Sequence, residues 1–367
     1  NWGRVLRHEI VHIFNLEQTH FLVPHWLTEG LAVGNEGFPR PQTWSQLLRE
    51  RVASGELMNL DSIELGFIRP RNPLEWQMAY CQSQLYVEYI KEISGPAAIG
   101  SLLDAFRDGL TSASAIRKVC KIDKVEFEAG YRAFLEDTVK ALPGKPTPKK
   151  RTLSELKAAH DKDPSDPDAG ANLAEALIGR DRAVARQLAE SALEKKKGHP
   201  VASLVLARLE KQAGNVKQER ALLEAAVNKE TPDSQVLQAL AKIYYDASEF
   251  PKAAELLEIG RAAEPGAAQW LQALARVYAQ TGEKDKQIAV LKELVPTDAD
   301  DFDSRKKLAD LLAKDSQWAD AEKYARGALE IDVESKDIRD ILDRSLREQK
   351  RAAEADRIKA LLAGPGQ

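Results

Sequence analysis

The sequence predicts a mainly α chain in two parts: a helical part with a metal-ligand pattern near its start, then a solenoid of helix pairs. Three observations carry this. His8-Glu9-Ile10-Val11-His12 is an H-E-x-x-H pattern. A Leu-Ala pair recurs at a nearly fixed spacing from residue 173 onward. Hydrophobic residues make up 43% of the 367 and charged residues 30%, enough apolar material to bury a core, which excludes wholesale disorder. With 53 basic against 57 acidic residues the formal net charge is -4, so no strong field for nucleic acid or an anionic membrane is expected. No apolar run approaches the ~20 residues needed to span a bilayer. Two cysteines, Cys81 and Cys120, are too few for a disulfide framework and read as small buried hydrophobes.

Composition divides the chain. Residues 1–140 hold four of the six Trp and both Met. They open inside a helical pattern and without an initiator Met, which reads as the C-terminal part of something longer. Residues 141–152, with Pro143, Gly144, Pro146 and Pro148 among basic residues, read as a semi-rigid linker. Residues 153–363 are rich in Ala, Leu, Glu and Lys with helical periodicity.

On a helix, residues four apart share a face, so His8 and His12 can reach one metal ion. Glu9 stands beside them, placed to touch a water rather than to ligate. A catalytic zinc needs a third protein ligand and one open position. The spacing that supplies a third histidine would need Gly three and His six residues after His12, where Asn15 and Gln18 stand. A glutamate on a following helix is the other route. Trp26-Leu27-Thr28-Glu29-Gly30-Leu31-Ala32 offers Glu29, seventeen residues past His12, with Pro24 suiting the helix start. Glu36 is a competing carboxylate in a loop flanked by Gly34 and Gly37. Val5, Leu6, Ile10, Val11, Ile13 and Phe14 supply apolar faces for burying the first helix.

The two motifs together resemble the gluzincin metallopeptidases. The W-L-x-E-G-[FL]-A helix is similar to that of leukotriene-hydrolase-like aminopeptidases and of small bacterial peptidase MA-like relatives. The resemblance covers residues 1–140. It implies a zincin-like catalytic part, with His8, His12 and Glu29 as Zn2+ ligands and Glu9 as general base. Two imidazoles and one carboxylate leave such a centre at net +1, which makes water a usable nucleophile near neutral pH. Tyr80, on the helix of Met78–Ile90, is the candidate donor to the carbonyl oxygen, ahead of Tyr86 and Tyr89. His20 and His25 read as loop and cap residues that could orient a ligand. The thermolysin branch carries a carboxylate four residues after the third ligand, and Val33 stands there. The sheet that gluzincins place before this motif, and the signature that grips a free amino terminus, are both missing from the residues given. The small bacterial relatives imply an exported or periplasmic protein.

The second part repeats. Leu173-Ala174, Leu206-Ala207, Leu240-Ala241, Leu274-Ala275 and Leu308-Ala309 place their alanines 33, 34, 34 and 34 residues apart. A further 34 reaches Leu342-Asp343, where a solvent-facing end of the array is expected. Gly214, Ser248, Gly282 and Ser316 lie seven residues after the alanine, where a helix should stop. Ala253, Ala321 and Ala355 lie twelve after the same reference, a slot that Glu219 and Gln287 break. Ala226, Gly260 and Ala328 lie nineteen after it. Small residues where helices cross let backbones approach, and stacked units bury what one unit cannot. The pattern resembles the tetratricopeptide repeat in about six units. That implies a groove facing a protein partner, with Arg208, Lys242 and Arg276 pointing into it and Gln235, Gln238, Gln269, Gln272 and Tyr245 beside them. Such side chains suit an extended peptide with carboxylates.

Function follows in two versions. The first is a zinc-dependent peptidase acting on a peptide or protein, with repeats that recruit protein. The alternative is a repeat scaffold whose zincin part is inactive or incomplete. Hydrolysis of a non-peptide amide or ester uses the same chemistry.

Overall fold

A computed structural model of the protein describes residues 1–142 and 151–363. Among these residues there are 21 α-helices and no strand. Two compact units form among the described residues, 1–142 with 292–363, and 151–291. Residues 292–363, read as repeats, fall within the first unit. Most of the linker read at 141–152 lies outside the described residues.

The N-terminal part of the first unit holds α1 (Trp2–Thr19), α2 (His25–Gly34), α3 (Gln42–Ser54), α4 (Ile63–Ile68), α5 (Pro73–Ser94), α6 (Ala98–Arg107), α7 (Ser112–Cys120) and α8 (Lys124–Ala141). Asn1, Asn72, Thr111 and Asp123 start α1, α5, α7 and α8 by accepting backbone N–H bonds on their side chains. Every residue of α2 from Trp26 to Val33 is buried. It packs on α5, and Trp26, Leu27, Met78, Leu85, Tyr86, Phe127 and Leu135 fill the core around them. Both cysteines are free, Cys81 buried and Cys120 half-buried.

The expectation for α1 needs correcting. Val5, Leu6, Ile10, Ile13 and Phe14 are exposed, Phe14 by 70%. Of the six apolar residues, Val11 packs against the core. Spacing explains this. The inward stripe of α1 runs through His8, His12, Asn15 and Thr19, so the polar residues face α2 and the apolar ones are turned outward.

The second unit holds α9 (Leu153–Lys162), α10 (Pro167–Leu177), α11 (Arg182–Lys195), α12 (Pro200–Gln212), α13 (Val216–Ala226), α14 (Ser234–Asp246), α15 (Phe250–Ala263) and α16 (Ala268–Thr281). The division falls within α17 (Lys284–Leu294). The first unit resumes with α18 (Phe302–Lys314), α19 (Trp318–Leu329), α20 (Lys336–Glu348) and α21 (Ala352–Ala363). The twelve helices α10 to α21 follow the sequence period two to a repeat, and α9 precedes them in sequence. All five Leu-Ala pairs are buried. A Cβ on Gly260 would lie 2.5 Å from the ring of Trp270, which explains the small residue there. Glu219 and Gln287 occupy their small-residue slots and are buried all the same; the Gln287 amide donates to the Ala275 carbonyl at 3.3 Å. Asp343 is half-exposed and pairs with Arg347 at 2.8 Å.

The first helices of successive pairs end in left-handed residues: Gly214 (φ 78), Ser248 (φ 59), Gly282 (φ 73), Ser316 (φ 57) and Lys350 (φ 62). Glycine takes this conformation freely, whereas a Cβ is strained there. Ser248→Gly and Ser316→Gly should each therefore stabilise the fold, by ~0.5–1 kcal/mol, read as a higher urea midpoint. A lower midpoint in both would show that the serine side chains do more than tolerate the turn.

Candidate metal centre

His8 and His12 lie one helical turn apart on α1 with their ring centroids 4.7 Å from each other. Glu29 comes from the middle of α2 and is buried. Its Oε2 is 3.3 Å from Nε2 of His8 and 3.6 Å from Nε2 of His12. The three residues can offer donor atoms that all lie within 4.8 Å of one another. A tetrahedral centre with bonds of about 2.0 Å needs ligand atoms about 3.3 Å apart, so the two nitrogen–oxygen separations suit such an ion.

The outer hydrogen bonds leave those atoms free to ligate. Nδ1 of His8 meets Oε1 of Glu36 at 2.9 Å. A carboxylate only accepts, so Nδ1 of His8 is the donor there. Nδ1 of His12 is 2.7 Å from the Thr28 hydroxyl oxygen, toward which the Asn15 amide also points at 3.4 Å. With its proton on Nδ1, His12 donates to that hydroxyl and presents Nε2 toward Glu29. Nε2 of His25 is 2.9 Å from Oε1 of Glu29. Oε2 of Glu29 is buried and makes no hydrogen bond. A buried carboxylate oxygen without a partner is costly, and a cation between it and two imidazoles removes that cost.

Burial alone would raise the Glu29 carboxyl, but the imidazoles of His25 and His8 outweigh it and hold the pKa at about 2. The carboxylates of Glu29 and Glu36 push His8 up to about 9. Burial lowers His12. Glu29 is thus an anion at neutral pH.

Glu9 is exposed beside His8. A cavity of about 400 Å³ opens here, and its lining includes His8, Glu9, Glu36, Phe38, Trp76 and Tyr80. Burial and then the negative charge of Glu29, Glu36 and Glu9 push the Tyr80 phenol up to about 12, so it stays a donor at neutral pH. Trp44, Phe67 and Trp76 pack around its ring. Tyr86 and Tyr89 are not at the site. Tyr86 is buried, stacks on Tyr131 and donates to Glu128 at 2.9 Å, and Tyr89 packs on Phe127. His20 caps α1 in a left-handed conformation. Glu36 lies in the loop after α2, where it accepts from Nδ1 of His8. Thr28 on α2 and Asn15 on α1 carry no signal in spacing; Glu36 stands out in the sequence as a carboxylate, but its contact with His8 does not.

In the second unit, Gln238, Lys242, Tyr245, Gln269, Gln272 and Arg276 share a cavity of about 430 Å³. Lys242 is paired there with Asp246 at 2.9 Å. Arg208 is not in its lining; it pairs with Glu175 at 3.4 Å and donates to Gln235 at 3.3 Å. No described helix is long and apolar enough to cross a membrane.

Residues 1–137 match the Peptidase MA superfamily. Residues 180–243 and 239–304 match two tetratricopeptide repeat families. No curated protein matches the chain. Among solved structures, it is similar to YrrB, described as a TPR protein with an unusual peptide-binding site, at 14% identity over 54% of this chain and 100% of that one, with a TM-score of 0.41. It is also similar to MamA of AMB-1 (20% identity, 45% of this chain and 93% of that one, TM-score 0.37) and to pilF of Pseudomonas aeruginosa (17%, 54% and 93%, TM-score 0.36).

Proposed function

We propose that the Peptidase MA superfamily domain at the start of this chain is a zinc-dependent peptidase, and that the tetratricopeptide repeats behind it recruit protein. One observation carries the first half: the unpartnered Oε2 of buried Glu29, faced by Nε2 of both His8 and His12. His8, His12 and Glu29 would hold the ion. Zinc, when bound, supplies positive charge that polarises water and the scissile carbonyl. Glu9 takes a proton from the attacking water and passes it to the leaving amine. Tyr80 donates its phenol proton in a hydrogen bond to the carbonyl oxygen as negative charge builds there. Glu36, Thr28 and His25 keep the ligands oriented.

For the repeats, Lys242 and Arg276 line the groove of the second unit, with Arg208 paired along the same row of first helices. Their charges suit carboxylates of an extended peptide. The same groove favours a second reading, a scaffold whose metal domain does no chemistry; Glu9 separates the two.

Metal analysis on purified chain, after loosely bound metal is stripped, tests the ligand set. About one zinc per chain is expected in the parent and a clear loss in Glu29→Ala. A parent that keeps no zinc sinks the peptidase proposal and leaves the repeats as the working part.

A further inference from the structure

The loop after α2 is held by α1, and α1 in turn is held by residues around α18 and α19. Arg4 of α1 reaches Oε2 of Glu36 at 3.0 Å with one guanidinium nitrogen and Oδ2 of Asp300 at 3.3 Å with another. Arg7 donates to the Glu36 backbone carbonyl at 2.9 Å and pairs with Glu330 at 2.9 Å. Asp300 precedes α18, and Glu330 caps α19. Phe38 lies between two cations, with Arg7 5.6 Å and Arg305 5.7 Å from its ring centroid. Arg305 is itself immobilised, donating to the carbonyls of Val295, Asp298 and Asp301. The backbones meet too: the Gly3 N–H donates to the Glu330 carbonyl at 3.2 Å, and the Trp2 indole donates to that of Leu329 at 2.8 Å.

This arrangement leads in a chain to the metal centre. The Glu36 oxygen that Arg4 does not hold is the one that meets Nδ1 of His8. We infer that Asp300 and Glu330 are positioning residues for the metal centre, acting through Arg4, Arg7 and Glu36 on the orientation of His8. The inference rests on the proposal that His8 is a ligand. It ties the repeat of α18 and α19 to the metal centre, in addition to any recruiting role of the array. Magnitudes favour a positioning role over a stabilising one. Ion pairs as exposed as Arg4–Asp300 contribute little to folding. Disturbing the outer partner of a ligating histidine, by contrast, typically weakens metal affinity 10–100-fold.

The test uses the full chain with Asp300→Asn and Glu330→Gln combined, both of which keep side-chain size. Zinc affinity is read by chelator competition, and backbone hydrogen exchange is followed over residues 35–38. We expect affinity to fall about tenfold and loop exchange to speed up, at an unchanged thermal midpoint. Asp337→Asn, which removes the 2.6 Å pair with Lys306 in the same repeats, should alter neither readout. The double change Asp300→Glu with Glu330→Asp keeps both charges and should hold affinity near that of the parent. Parent-like affinity in the neutralised variant overturns the inference, whatever the loop does. A parent without zinc instead breaks the peptidase proposal; loop exchange then decides alone, and unchanged exchange overturns the positioning role as well.

Discussion

Glu9→Gln should lower kcat by about 10²–10⁴ while the protein keeps its zinc, because a general base contributes on that scale and Glu9 is not a ligand. Its side chain stands on the exposed side of α1, beside His8 and in the wall of the cavity that Tyr80 also lines. Glutamine keeps the shape and loses the ability to take a proton. KM should move little, because the change removes an interaction made in the transition state. Folding should be untouched, since no core contact is lost. The measurement is turnover of a peptide library next to zinc content on the same samples. Hydrolysis that survives the substitution unaltered rules out the proposed chemistry. A parent that holds zinc yet cleaves nothing favours the scaffold reading.

Local spacing made part of this legible. His8 and His12 sit four apart, and the Leu-Ala pairs return every 33 or 34 residues, so helix faces and crossings could be read directly. Tyr80, Tyr86 and Tyr89 share one helix, and the helical repeat turns the first toward the cavity and the other two into the core. Direction is where the sequence misled. The apolar residues of α1 looked like its buried stripe, and the histidines took that stripe instead. Which distant partner each side chain meets left no signal, even where the residue itself, as with Glu36, stood out. Glu36 reaches His8 from 28 residues away, and Glu330 reaches Arg7 from 323 away. Neither separation is set by a helical period; each depends on a loop and on packing between distant helices.

Gly30→Ala is expected to damage stability and metal binding together. The added Cβ would lie 2.3 Å from the carbonyl oxygen of Ser83 and 2.6 Å from its carbon. Both are backbone atoms of α5, so no side-chain rotation relieves the contact. Alanine is the better helix former by about 1 kcal/mol, and that gain favours the substitution. Overpacking a filled core costs ~1–3 kcal/mol or more, and here the obstacle is a buried helix that cannot yield, which puts the cost at the upper end. The net effect is loss. α2 must shift away from α5, and it carries Glu29 one residue before the clash. Oε2 of Glu29 now lies 3.3 and 3.6 Å from the two imidazole nitrogens, and a displacement of even half an ångström spoils distances that a ligand set holds to about 0.2 Å. Gly34→Ala is the matched control: same helix, same chemistry, nothing within 4 Å of the new atom. It should melt with the parent or slightly above it and keep its zinc. A Gly30→Ala protein that matched this control in thermal midpoint and zinc content would show that α2 is not pressed against α5, and the packing that places Glu29 would have to be drawn differently.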